Sequence, residues 1–254
     1  MFKIVIPARY GSTRLPGKPL LHIAGKPLLE YVWGVALRAG ADETLIATDD
    51  ERIASAAHAF GASIVMTAAT HQSGTDRLAE VARTLGWAPD TVVVNLQGDE
   101  PLMPPAALTQ VAKLLLKETA AAMATLSTPI GSAAEFSDPN VVKVVCDGRG
   151  RALYFSRSPI PFERDAHARV GVQSAPVALA QRHLGIYAYR VSTLQRLSEL
   201  SPTPLELCER LEQLRALESG LQIVVNTACA VPGPGVDTAA DLAAVERLLL
   251  RVVS

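Results

Sequence analysis

The chain has 254 residues, 24 basic against 25 acidic side chains and 49% apolar content, which is enough for a sizeable core. A formal net charge of -1 excludes a nucleic-acid surface as its main business. No stretch reaches the ~18 consecutive apolar residues of a membrane helix. Cys146, Cys208 and Cys229 do not form the spacing of a disulfide framework or a zinc site. The opening apolar run is also too short for a signal peptide. The expectation is a soluble cytoplasmic protein, one domain over 1–254, with no nucleic-acid or membrane partner.

In chain order, Phe2, Ile4, Val5 and Ile6 predict a buried strand. It breaks into a loop at 9–18 rich in Gly, Pro, Ser and Thr, carrying Arg9, Arg14 and Lys18. Gly11 allows close backbone approach to an anion, and Ser12 and Thr13 add donors. The cations can neutralise a polyphosphate, Arg through a planar fork and Lys as a point charge. This is not a Walker A sequence, because five residues separate Gly11 from Gly17 and Pro19 follows Lys18. An ordinary basic surface loop is the plain alternative. Three cations beside a strand end favour a phosphate-binding loop.

Pro27 opens a helix carrying Leu28, Leu29, Val32, Trp33, Ala36 and Leu37, and Gly40 ends it. A strand at 44–48 ending in Asp49-Asp50, a helix at 51–60 and a strand at 63–67 follow. This alternation predicts a parallel sheet flanked by helices, with ligands beyond the carboxyl ends of the strands. The 9–18 loop and Asp49 both fall there. Residues 71–77, His-Gln-Ser-Gly-Thr-Asp-Arg, lead into an amphipathic helix through Leu78, Val81, Ala82 and Leu85. Ser73 or Thr75 can cap that helix and Gly74 can permit a close approach, so a capped loop and a ligand-binding loop stay equally open.

Residues 91–96 form the strongest strand, interrupted only by the polar Asn95, and run into Gln97-Gly98-Asp99-Glu100-Pro101. A carboxylate at a strand end can hold magnesium against phosphate oxygens. The plain reading of Asp99 is a turn starter. A helix at 105–117 and strands at 122–129, 141–146 and 152–158 come next, giving a mixed sheet. Residues 159–181 lack periodicity and read as an insertion or arm, bounded at about 150–182. A strand at 182–190 precedes a single helix at 205–218 with Leu205, Cys208, Leu211, Leu214 and Leu217 as its apolar stripe. Glu206, Glu209, Glu212 and Gln213 occupy its other faces. After a strand at 221–227, Asp237 and Thr238 stand at the cap of a final helix reaching about 252.

Segments 4–20, 71–77, 95–101, 140–160, 182–190, 205–218 and 231–241 together resemble, in order, the sugar nucleotidyltransferase family in its cytidylyltransferase form. The resemblance implies an α/β, Rossmann-like nucleotidyltransferase fold and a homodimer. It implies transfer of CMP from CTP to the acidic sugar 3-deoxy-manno-octulosonate (Kdo), releasing pyrophosphate, for lipopolysaccharide synthesis. It assigns Arg9, Gly11, Ser12, Thr13, Arg14 and Lys18 to the triphosphate, with Ser73, Gly74, Thr75, Asp76, Arg77 and Gln97 around the cytosine and ribose. Asp99 and Asp237 are implied as ligands of Mg2+. Gln97, Arg157, His183, Tyr187, Glu209, Glu212 and Gln213 are implied for the sugar acid, with Arg157 or His183 facing its carboxylate. The sequence departs from the pattern at 177–181, which lacks an aromatic residue before Arg182-His183. Another acidic sugar, such as a sialic acid, is the alternative among enzymes. A catalytically silent nucleotide-binding regulator is the alternative outside them, and the joint presence of Asp99, Asp237 and the 9–18 loop argues against it.

Overall fold

Side-chain alternation in the first strand decides the layers. In β1 (Lys3–Ala8), Ile4 and Ile6 enter one apolar core and Val5 enters another on the opposite face of the sheet. The computed structural model describes residues 1–11, 15–164 and 179–253, the last three by backbone alone. Ser12, Thr13 and Arg14, and residues 165–178 of the expected arm, lie outside the described residues.

The first half continues through a single 3-10 turn (Lys18–Leu20), a small hairpin of β2 (His22–Ile23) and β3 (Lys26–Pro27), α1 (Leu28–Arg38) and β4 (Glu43–Thr48). Then come α2 (Glu51–Ala59), β5 (Ile64–Met66), α3 (Gly74–Thr84), β6 (Val92–Asn95) and α4 (Pro105–Lys117). The second half contains β7 (Met123–Pro129), α5 (Ala133–Ser137), β8 (Lys143–Cys146), β9 (Ala152–Ser156) and β10 (Gln181–Arg190). It closes with α6 (Val191–Glu199), α7 (Pro204–Glu209), α8 (Gln213–Glu218), β11 (Ile223–Thr227) and α9 (Ala239–Val253).

The main sheet has the order β11-β7-β10-β6-β1-β4-β5. Only β10 on this path runs against its neighbours, pairing antiparallel with β6 and β7. The other pairs on the path, β1 with β4 and β6, β4 with β5, and β7 with β11, are parallel. Strands β8 and β9 extend the sheet from the start of β10. This is the mostly parallel, mixed sheet that the sequence predicts.

Helices cover both faces. Trp33 of α1, Ile53 of α2 and Leu108 and Val111 of α4 join the core of Ile4 and Ile6. On the other face, Leu78 and Val81 of α3, Leu194 of α6 and Leu214 of α8 pack with Val5 and Val93. A third cluster, Ile23, Leu28, Val236 and Val245, ties the C-terminal segment to the N-terminal hairpin. Burial of a valine such as Val236 contributes roughly 1.5–3 kcal/mol. It also determines where the neighbouring Asp237 can reach.

Two expectations change. The single helix over 205–218 is two helices, α7 and α8, broken at Arg210, which adopts a left-handed conformation (φ 54°). Glu206 of α7 holds Arg215 of α8 at 2.5 and 2.8 Å, folding the second helix back on the first. Helix α6 was not expected, although Val191, Leu194 and Leu197 are spaced to bury one helical face.

Candidate active site

The sheet brings its functional loops together at the carboxyl ends of β1 and β6. Gly98, just after β6, passes so close to β1 that a Cβ there would meet the Pro7 carbonyl oxygen at 3.1 Å. Gly74 approaches the same proline, where a Cβ would lie 3.2 Å from the Pro7 ring. These contacts hold the 97–99 and 73–75 segments against the root of the 9–18 loop.

Three adjoining cavities form one trough, and Gln97 lines all of them. At one end lie Arg9, Gly11, Lys18, Asp99 and Asp237. The middle is lined by Arg9, His71, Ser73, Gly74, Arg77 and Glu212. At the far end, a cavity of about 410 Å³ is bounded by Thr75, Asn95, Arg182, His183, Tyr187 and Gln213, among others.

At the first end, Lys18 Nζ donates to Asp99 Oδ2 at 2.6 Å, to Asp237 Oδ1 at 3.1 Å and to the Val236 carbonyl at 2.9 Å. Val236 N in turn donates to the Asp99 carbonyl at 2.9 Å, so the 99 and 236 backbones are stapled together. Burial pulls the Lys18 pKa down, but its bonds to both aspartates outweigh this and raise it. Burial and the charges of Asp99 and Asp237 push Glu100 up to about 7.

In the middle, the two readings of residues 71–77 are compatible. Ser73 caps α3, accepting from Asp76 N at 3.1 Å, while the Asp76 carboxylate accepts from Ser73 N at 3.2 Å. Helix α3 therefore begins inside this segment and aims its N-terminus at the trough, a favourable place for negative charge. Arg77 is buried, with its guanidinium on Asp49 at 3.0 Å and Thr67 at 2.7 Å. Its guanidinium thus braces β4 and the segment after β5 against α3.

Two of the residues implied for the sugar acid, Arg157 and Glu209, stand outside the far cavity. Arg157 does not line it: its guanidinium donates to the carbonyls of Glu209 at 2.7 Å and Pro139 at 2.9 Å. Glu209 is also absent from the lining, accepting from Ser156 Oγ at 2.6 Å and Arg157 N at 2.9 Å. Both act as latches between β9 and α7, as buried polar groups must find partners. His183 lines the cavity, but burial beside Phe155 and Tyr187 pushes its pKa down to about 3. That favours its neutral form. Among the described residues the cation in the lining is Arg182, named from the sequence only as a neighbour of His183. Its side chain is 47% exposed and lies 3.5 Å from Glu135.

Glu212 and Gln213 reach the trough because the break at Arg210 turns the start of α8 towards it. Burial raises the Glu212 pKa, opposed by its hydrogen bond from Thr75. Behind the wall, the wholly buried Lys143 donates to the carbonyls of Asp138 (2.9 Å), Val141 (2.6 Å) and Arg157 (2.6 Å). It fixes the 138–142 segment, whose Asn140, Val141 and Val142 line the cavity. Among the described residues no group of three or more His, Cys, Asp or Glu side chains forms a metal cage. Nor is any helix among the described residues long and apolar enough to cross a membrane.

This arrangement has close counterparts. A cytidylyltransferase family model matches residues 3–223. The 3-deoxy-manno-octulosonate cytidylyltransferase of Thioalkalivibrio sulfidiphilus is 56% identical over 248 residues, covering 98% of each chain. That of Cellvibrio japonicus is 56% identical over 250 residues, again covering 98% of each. A solved structure of CMP:2-keto-3-deoxy-manno-octonic acid synthetase complexed with CTP superposes with a TM-score of 0.88, at 45% identity and 99% coverage of both chains. With its fold and nearly its whole length matched, the chain belongs to the cytidylyltransferase family.

Proposed function

We propose that this protein transfers CMP from CTP to Kdo, forming CMP-Kdo and pyrophosphate. The observation that carries this reading is the continuous trough with two chemically different ends. Cationic and acidic groups, Arg9, Lys18, Asp99 and Asp237, stand at one end. Neutral hydrogen-bonding groups, Glu212 and Arg182 stand at the other, with Gln97 common to both. The nearly full-length likeness to enzymes named for this acid supports the choice of sugar.

The triphosphate lies at the Lys18 end, where Arg9 and the Gly11 backbone receive its charge. The cytosine and ribose occupy the middle, against Ser73–Thr75 and Gln97. Kdo fills the far cavity, its carboxylate towards Arg182 and its hydroxyls towards Gln213, Tyr187 and Glu212. The anomeric hydroxyl oxygen then attacks the α-phosphorus in line as the bond to the β-phosphate oxygen breaks. Pyrophosphate leaves with that electron pair and the hydroxyl proton is released. The chain's contribution is positioning and electrostatic stabilisation, with no covalent enzyme intermediate.

Asp99 and Asp237 fit a magnesium site, since both carboxylates already converge on one cationic centre, the Lys18 ammonium. Two carboxylates plus substrate oxygens are the ligands magnesium usually takes. When bound, it would supply charge stabilisation at the phosphate oxygens. A homodimer in the cytoplasm completes the proposal, on family likeness.

The test is pyrophosphate release from CTP with Kdo, a sialic acid or no acceptor, with the nucleotide product identified by mass. Release that requires Kdo and yields CMP-Kdo is expected. Preference for the sialic acid would reassign the substrate, and no release with any acid would leave a nucleotide-binding protein.

A further inference from the structure

Asn95 has no role in the mechanism above, yet it is the one polar residue that interrupts the otherwise apolar β6. It is 3% exposed and lines the far cavity, and its Oδ1 has no hydrogen-bond partner. The same three statements hold for Tyr187, which is 9% exposed and whose Oη is also unpartnered. These residues are not independent. Tyr187 of β10 stands directly opposite Asn95 of β6 in the antiparallel register, so both project from the same face of the sheet. The register of β10 against β7 shifts between Leu184 and Tyr187. Gly185 lies within that irregularity and lines the cavity without a side chain.

Buried polar atoms are ordinarily paired, and each exception needs a reason. Two on facing residues, in one cavity, point to a ligand group that bonds both. Their chemistry identifies that group. An amide oxygen only accepts. The Tyr187 phenol, whose pKa burial raises well above its ordinary value, stays neutral and can donate. A carboxylate has no proton to give Asn95, whereas a hydroxyl can donate to Asn95 Oδ1 and accept from Tyr187 Oη at once. We propose that Asn95 and Tyr187 together read one hydroxyl of the sugar acid and thereby set which acid is accepted. This rests on the reading that the far cavity takes the acid. Asn95 is then a specificity residue for the reaction, and a sugar lacking that hydroxyl leaves both atoms unpaired.

The test compares wild type, Asn95→Leu and Tyr187→Phe. Substrates are Kdo and a set of Kdo analogues, each lacking one hydroxyl. Acid kcat/KM is measured at saturating CTP, and CTP affinity by calorimetry without acid. Wild type should disfavour one particular analogue by about a hundredfold or more, as sites built around a hydroxyl do. In both variants that preference should fall below about fivefold, with discrimination among the other analogues and CTP affinity unchanged. Tyr187→Phe removes a single oxygen and carries the test alone if Asn95→Leu does not fold. Retention of the wild-type preference in either folded variant would overturn the inference, as would equal loss against every analogue or a parallel fall in CTP affinity. Wild type inactive with Kdo and CTP would overturn the functional reading, and this assignment with it.

Discussion

Asp99 and Asp237 meet at one ammonium: Lys18 Nζ lies 2.6 Å from an oxygen of the first and 3.1 Å from an oxygen of the second. They arrive from distant segments of the chain, one after β6 and the other before α9, joined through the Val236–Asp99 backbone bond. Groups that act on one centre act as a unit. Asp99→Asn or Asp237→Asn should therefore fold and bind CTP but lose turnover by about a hundredfold or more, and the double variant should be little worse than either. Saturating kcat values, with a thermal melt as the fold control, check this. Multiplicative losses would separate the two carboxylates.

Lys143 is a structural cation held by three backbone carbonyls. Its three carbonyl acceptors would be left without that donor in Lys143→Met. The expected cost is roughly 2–4 kcal/mol of stability, since orphaned buried groups lose their full desolvation energy. Urea unfolding measures it. The 138–142 wall of the cavity should loosen too, raising the acid KM more than the CTP KM.

Arg157, which the resemblance implies for the sugar acid, donates to two backbone carbonyls, whereas Arg182 lines the far cavity. Arg182→Gln should raise the Kdo KM by about ten- to a hundredfold, the value of a charged hydrogen bond, with stability nearly unchanged because the side chain is half exposed. Arg157→Gln should destabilise the fold by detaching α7 from β9, with activity lost only in step with folded protein. Steady-state kinetics beside denaturation curves distinguish the two.

His183, with its pKa pushed down to about 3, predicts a pH dependence of stability. The unfolded chain protonates this histidine near 6.5 and the folded chain only near 3, so between those values the unfolded state binds more protons. Stability is fully present above about 6.5 and is lost progressively as pH falls through that window, on the order of 1 kcal/mol by pH 5.5. His183→Gln should flatten this slope. An equally steep acid loss in the variant would assign it to other groups.

The sheet was legible because apolar runs, glycines and prolines punctuate it, and because β1 and β6 end in loops of unusual composition. Asp99 and the 73–75 turn stand at a strand end and a helix cap, where local sequence carries a signal, whereas Gln97 and the metal role of Asp237 rest on the family resemblance. The cation of the far cavity was not legible, since nothing local tells Arg157, held by two backbone carbonyls, from Arg182 beside an open cavity. The break at Arg210 was hidden for a similar reason: the left-handed residue is an arginine, held there by the Glu206–Arg215 pair instead of by glycine. Asn95 was visible as an oddity in an apolar strand, but its meaning depended on the register that sets it against Tyr187.

The central claim is a single trough with the triphosphate at one end and the sugar acid at the other. It is tested most directly by steady-state kinetics of two variants, Arg9→Ala and Gln213→Ala, with CTP and Kdo each varied at saturation of the other. Arg9 is exposed at the triphosphate end and Gln213 is buried at the far end. Arg9→Ala should raise the CTP KM by about tenfold or more with the Kdo KM near wild type, and Gln213→Ala should do the reverse. Equal effects of either variant on both substrates would contradict the two-ended trough.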